Sequence, residues 1–236
     1  MVLQKLQLTF KPQNEIAFLR LLPFLLIAII CFFASDLFAQ DPLIFKQEVN
    51  EISKISVEQD TVPTYIVFTG SASIRLWKDI QTYFPGKKII NAGFGGSQLS
   101  DILFYNQRLI INFKPKQVFI YSGDNDLEAR GCPGTIFKIA KNLAETIRKS
   151  LPETEIVFIS IKPCPARWEL RAEQRELNYL LKQYASQTSY VKFIDVWTKM
   201  IDINGQVRNE LYLENGLHMN KAGYDIWATE IRKIMK

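Results

Sequence analysis

From residue 64 onward, short runs of β-branched and aromatic residues alternate with longer amphipathic stretches, and this alternation limits the fold more than any other feature of the chain. The runs are Tyr65–Thr69, Lys88–Ala92, Gln117–Tyr121, Glu155–Ile161 and Val191–Val196. Between and after them lie Ile74–Tyr83, Leu99–Leu109, Thr135–Leu151, Arg167–Ser186 and Lys221–Lys236. Ile136, Ile139, Leu143 and Ile147 are spaced to fall on one helical face. Short buried strands alternating with helices build βαβ units, and hence a parallel sheet covered on both faces. Right-handed crossovers then give a doubly wound, three-layer α/β/α sandwich. Sites in such sheets collect at the carboxyl ends of the strands. The loops to search are therefore 70–74, 93–98, 122–134, 162–167 and 196–220.

The residues before this pattern behave differently. Lys5, Lys11 and Arg20 precede an apolar run from Leu21 to Ala34. A run of about 14 residues suits a signal-peptide core and is short for a membrane span of about 20. Ala39 can serve as the residue before cleavage, so residues 1–39 are expected to be a signal peptide and the protein to be exported, periplasmic or secreted. The alternative is an uncleaved N-terminal anchor, since the basic region is long and Leu37 is not small. After cleavage no stable membrane span is expected. Residues 40–63 read as a polar lead-in with at most one short helix, and 64–236 as the domain.

The formal net charge of +5 is spread along the chain without a basic run. It gives no reason to expect a nucleic-acid partner. Only Cys132 and Cys164 lie beyond the signal region, and His218 is the only histidine. That set is too sparse and scattered for a zinc site, so no metal or other cofactor is expected.

Four short motifs occupy the searched loops. They are Val67-Phe-Thr-Gly-Ser-Ala-Ser-Ile-Arg-Leu-Trp77, Asn91-Ala-Gly-Phe-Gly-Gly-Ser97, Tyr121-Ser-Gly-Asp-Asn-Asp126 and Glu214-Asn-Gly-Leu-His-Met-Asn220. The second is no dinucleotide fingerprint: Gln98 stands where the third glycine is required, and the loop follows the second strand. In order and spacing the four motifs resemble the SGNH (GDSL-type) hydrolases, in the branch whose first block reads Gly-Ser-Ser-Ser-Ile. The resemblance covers about residues 64–236. It implies a five-stranded sheet of order 2-1-3-4-5 and acyl transfer to water through a serine ester. The ligand would be a small ester of a lipid or a glycan.

In that family the first-block serine attacks and a histidine takes its proton. An aspartate three residues earlier orients the histidine. The serine's own N–H, a second-block glycine N–H and a third-block asparagine hold the oxyanion. By position the glycine is Gly96, the asparagine Asn125 and the base His218. The alternative is that Asn125 simply braces its own loop. Asp124 and Asp126 beside it read as solvated loop carboxylates.

Two positions depart from the pattern. Ala72 stands at the nucleophile and Asn215 at the orienting acid. Alanine has no nucleophilic atom. Asparagine cannot stabilise an imidazolium and can favour the wrong ring tautomer. Ser71 and Ser73 are the alternative nucleophiles, though a neighbouring Cα lies about 3.8 Å away and its side chain leaves the turn in another direction. Their structural role would be to cap the helix that follows. The chain therefore reads either as an ester hydrolase using a substitute nucleophile or as a hydrolase-fold protein that binds without turnover.

The family's strand order also makes the loops carrying Cys132 and Cys164 neighbours. A disulfide there would close about 32 residues, worth roughly 3–4 kcal/mol in the chain-entropy model. Two free thiols are the alternative. Phe94, Trp77 and Trp168 lie in or near the loops and could line a pocket, with core packing as good a reading for Trp77.

Overall fold

The computed structural model describes residues 40–56 and 64–236. The expected signal peptide, 1–39, lies outside the described residues. Among those described, no helix is long and apolar enough to cross a membrane.

Five parallel strands form one sheet of order β2-β1-β3-β4-β5. They are β1 (Tyr65–Gly70), β2 (Lys88–Gly93), β3 (Gln117–Tyr121), β4 (Glu155–Ile159) and β5 (Val191–Ile194). The expected fold class and strand order are therefore those of the molecule. Side chains alternate across the sheet. Val67, Val118 and Ile120 point into one core, and Ile66, Phe68 and Phe119 into the other. The first core is covered by α4 (Leu99–Leu109), α6 (Pro133–Ser150) and α7 (Arg171–Ser186). The second is covered by α8 (Lys221–Arg232) and two short helices, α2 (Ala72–Arg75) and α3 (Ile80–Tyr83). A further short helix, α5 (Asp124–Glu128), follows β3.

The expected single helix over 74–83 is broken at Leu76–Asp79. The cause is Asn91 on β2. Its amide donates to the carbonyls of Ile74 (2.8 Å) and Trp77 (3.2 Å), acceptors that a continuous helix would use itself. The break lets Trp77 pack against Phe68, Tyr83, Phe84, Tyr224 and Trp227. Trp77 is thus core, as is Phe94, which meets Phe45 edge-on at 5.2 Å. Trp168 is half-buried and stacks on Trp197. On α6, Ala140 and Ala144 are buried, whereas Ile139 is only partly so.

The compact unit begins at Asp41, earlier than the expected residue 64. The lead-in forms a 3-10 turn (Pro42–Phe45) and α1 (Lys46–Ser53). Phe45, Val49 and Ile52 enter the first core. Burial of side chains of this kind contributes about 1.5–3 kcal/mol each. Arg108 on α4 ties the segment down through Ser53 (3.1 Å) and Asn50 (2.5 Å).

Cys132 and Cys164 are both free, so the disulfide is not formed. Cys164 is buried in the core beneath α8, while Cys132 is exposed at the start of α6, on the other side of the sheet. Neighbouring loops do not suffice when the two side chains leave toward different layers.

Candidate functional site

The register brings three strand ends level. Gly70 pairs with Gly93 on one side and Tyr121 on the other. Gly70 has a φ of +136°, and a Cβ there would overlap the Tyr121 carbonyl, so only glycine lets the strands end this close. Ser71 N–H then donates to the Tyr121 carbonyl (3.0 Å) and Phe94 N–H to that of Gly70 (2.9 Å). These bonds stack the first three motifs at one edge.

Ala72 is the first residue of α2 and is half-buried. Its neighbours are less accessible: Ser71 is 2% exposed and Ser73 4%. Neither caps the helix with its hydroxyl as expected; Ser71 occupies the cap position without a side-chain bond. The Ser73 carbonyl accepts from Tyr224 Oη (2.9 Å), which fixes that residue against α8.

The second loop is held from several directions. Ser97 Oγ donates to the Phe94 carbonyl (3.0 Å). Gln98 N–H donates to Asp101 (2.8 Å), half of a capping box at the start of α4. Glu48 on α1 accepts from Gly95 N–H (3.4 Å) and pairs with Arg75 (3.7 Å). Gly96 sits exposed at the turn with a φ of +79°. The Asn125 amide donates to the Ser97 carbonyl (2.9 Å), bringing Asn125 beside the Gly96 loop.

Asp124 and Asp126 are buried, not solvated as expected. Asp126 accepts from Leu99 N–H with both oxygens (3.1 and 3.2 Å), joining the third motif to α4. Burial outweighs that bond and pushes its carboxyl up to about 7. Asp124 pairs with Arg167 at 3.2 Å.

Arg167 is the residue sequence reasoning passed over. Its Nη1 donates to Asp124 and, at 3.1 Å, to Asn125 Oδ1, while its Nε lies 3.3 Å from Glu128. An arginine can only donate. It therefore turns the oxygen of Asn125 toward itself and the amide nitrogen toward the Ser97 carbonyl. The 3-10 turn Pro165–Leu170, kinked at Arg167, makes this reach possible and replaces the first turn of the expected helix. The signal available in sequence was only position: Arg167 ends a loop already marked for search. Lys162, in the same loop, was also missed. It is 1% exposed, with its ammonium 5.8 Å from the Tyr121 ring and 5.9 Å from that of Tyr212.

The fourth motif supplies His218, half-buried in the turn before α8. Ala166 N–H donates to the Gly216 carbonyl (3.1 Å), docking this turn beside the Arg167 loop. Asn215 Oδ1 accepts from the N–H groups of both Leu217 and His218 at 3.0 Å. Those bonds fix the amide orientation and leave Nδ2 facing His218 Nδ1 at 2.9 Å. The amide nitrogen can only donate, so Nδ1 accepts and the ring proton sits on Nε2. A general base needs the reverse arrangement, with a bare Nε2. Burial, then Lys162, Arg75 and Arg167, hold the imidazole below its usual range, with Asp124 opposing.

Comparison with known proteins follows the same outline. Residues 68–226 match the model of the GDSL-like lipase/acylhydrolase family. Among solved structures, a putative platelet activating factor from Streptococcus pneumonia superposes with a TM-score of 0.72 at 22% identity, covering 89% of this chain and 99% of that one. A putative acylhydrolase from Bacteroides fragilis gives 0.70 at 21%, covering 83% and 97%. A GDSL-like lipase from Bacteroides thetaiotaomicron gives 0.68 at 21%, covering 82% and 97%. These likenesses establish the fold. An N-acylneuraminate cytidylyltransferase from Escherichia coli O18:K1:H7 is 28% identical over 153 residues, 63% of this chain. The chain spans about 35% of that protein's length.

Proposed function

Because the chain belongs to the GDSL-like lipase/acylhydrolase family, we propose that it binds an acyl or acetyl ester of a lipid or carbohydrate, or the acid released from one, without forming a serine acyl-enzyme. The observation that carries this reading is Ala72 at the accessible position of the turn, between two buried serines. A methyl group cannot attack a carbonyl. Loss of a catalytic serine alone costs about 10⁶ in turnover elsewhere, and further losses in the same unit add little. The Asn215–His218 bond supports the same reading from the other side, since it sets Nε2 as a donor. The oxyanion donors depend on backbone and on Asn125, so binding does not require the missing hydroxyl. The acylated sugar in the name of the E. coli relative supports the carbohydrate arm.

The competing reading is hydrolysis by Ser71, Ser73 or a water activated by His218. The near-complete burial of both serines counts against the first two. The donor state of Nε2 counts against the third. We further propose that the protein is exported; the N-terminal sequence of the mature chain tests this, with cleavage after Ala39 expected.

The functional test is p-nitrophenyl acetate hydrolysis by the wild type, by His218→Ala and by the double variant Ala72→Ser with Asn215→Asp. Turnover confined to the double variant is expected. Wild-type turnover that disappears in His218→Ala would refute the reading for that ester class.

A further inference from the structure

Among the described residues seven large apolar side chains are exposed, and four of them gather on the lead-in and the helix beneath it. They are Leu43, Ile44, Ile55 and Phe104, each between 40 and 65% exposed. The other three stand one at a time, on α7 and in the loops between β5 and α8. The contacts that tie down the lead-in also bring the four together. Tyr105 Oη donates to the Pro42 carbonyl (3.1 Å), which sets Leu43 and Ile44 beside the turn of α4 that carries Phe104. Phe104 and Arg108 are four residues apart on α4 and share a helical face. Arg108 in turn holds Ser53 (3.1 Å), two residues before Ile55.

Apolar side chains exposed singly are ordinary, whereas a group of them marks a contact surface. The charges around this one cancel. Lys46 and Lys54 are exposed beside Asp41 and Glu51, and Lys54 pairs with Glu51 at 2.7 Å. A stable dimer buries about 800 Å² per partner, and four part-exposed side chains fall well short of that. A bilayer needs no such area, because apolar side chains enter it only about 5–10 Å past the headgroups. The sequence also brings a bilayer to this end of the domain. Leu43 follows the apolar run Leu21–Ala34 by nine positions, a link of about 30 Å at full extension. A run of that kind enters the membrane during export, whether it is then cleaved or kept. We propose that Leu43, Ile44, Ile55 and Phe104 form a surface that docks on a lipid bilayer by apolar contact, with no need for anionic lipid. The same segment supports the second site loop, since Glu48 accepts from Gly95 N–H (3.4 Å) and Phe45 meets the Phe94 ring at 5.2 Å. The choice of a bilayer rests on the exported reading above. N-terminal sequencing tests that reading, and vesicle binding by the purified chain tests this one.

The compact unit Asp41–Lys236 carries both cores, so residues 40–236 are the chain to test. Flotation with phosphatidylcholine vesicles should show saturable binding, half-maximal near about 1 mM lipid. Raising salt from about 0.1 to about 0.5 M should change it by less than about twofold. Leu43→Gln with Ile44→Gln should weaken binding about tenfold or more. Phe104→Gln, on a different element, should weaken it about fivefold. Ile203→Gln removes the most exposed apolar side chain of the described residues, far from this face in the chain, and should change nothing. All four side chains changed are exposed, so the melting temperature should hold in every variant. No binding at about 10 mM lipid, binding that requires anionic lipid, an equal loss in Ile203→Gln, or unchanged binding in either of the other two variants would overturn the proposal. So would a dimer in sedimentation velocity that Leu43→Gln with Ile44→Gln dissolves, because the face would then belong to a second copy.

Discussion

The two halves of this site are held together by different means. The half that would hold an oxyanion is stitched between loops. Arg167 from the loop after β4 orients Asn125 after β3, Asn125 holds the Ser97 carbonyl after β2, and Asp126 caps α4. The half that would move a proton is local. Asn215 and His218 lie three residues apart in one turn, and Asn215 binds only that turn's own backbone and ring. Ala72 needs only its place on the turn after β1. The difference teaches why one half can change while the other stays. Removing a cross-link strands buried charges in a neighbouring loop, whereas Asp-to-Asn in an exposed turn keeps both backbone bonds and alters only the ring.

The sharpest way to break this comparison is to restore the local half alone. Ala72→Ser with Asn215→Asp should hydrolyse p-nitrophenyl acetate about 10⁴ times faster than Ala72→Ser by itself, by analogy with the tautomer penalty in serine proteases. Equal rates would mean that the ring proton does not sit where the turn puts it. Next in size is Asp126, in the stitched half. Its folded carboxyl titrates at about 7, against an ordinary 3.8. Between those values the folded protein keeps a proton that the unfolded chain has lost, so this group's stability is full below about 3.8 and lost as pH rises through 7. The loss is of order 4 kcal/mol. Asp126→Asn retains an oxygen for Leu99 N–H and should remove this dependence in denaturant titrations between pH 4 and 8.

Arg167→Ala should cost about 3 kcal/mol in urea unfolding, because Asp124 is left buried without its cation. It should also free the Asn125 amide to reorient. A stable variant would show the two halves to be equally loose. The smallest effect belongs to His218. Its ionisation is held below the usual 6.5, so its share of stability is present above 6.5 and declines as pH falls toward the folded value. Asn215→Asp supplies a carboxylate to the imidazolium and should raise the titration of His218 by NMR, with little change in unfolding midpoint at pH 8.

Much of this was legible in sequence. The strand runs lie within a few residues of β1 to β5, and Gln117–Tyr121 and Leu99–Leu109 coincide with their elements. Apolar period and length carry that information locally. The misses share one cause. The break in the helix after Ala72 comes from Asn91, fourteen or more residues away in sequence. The burial of Asp124 and Asp126 comes from Arg167 and Leu99. The lead-in joined the domain because α4 offered Arg108 and the first core had room for Phe45 and Val49.

By itself, the sequence determined the α/β/α layering, the four motifs at the strand ends and the two substitutions, Ala72 and Asn215. Each follows from residue identity or from a period read over neighbouring residues. Tertiary structure alone decided which side of Asn215 faces the ring, which way Asn125 points, and that Arg167 stands at the site. Those choices depend on which donor meets which acceptor across loops that the chain joins only when folded. A hydrogen bond's direction belongs to the pair, and no single residue's identity contains it.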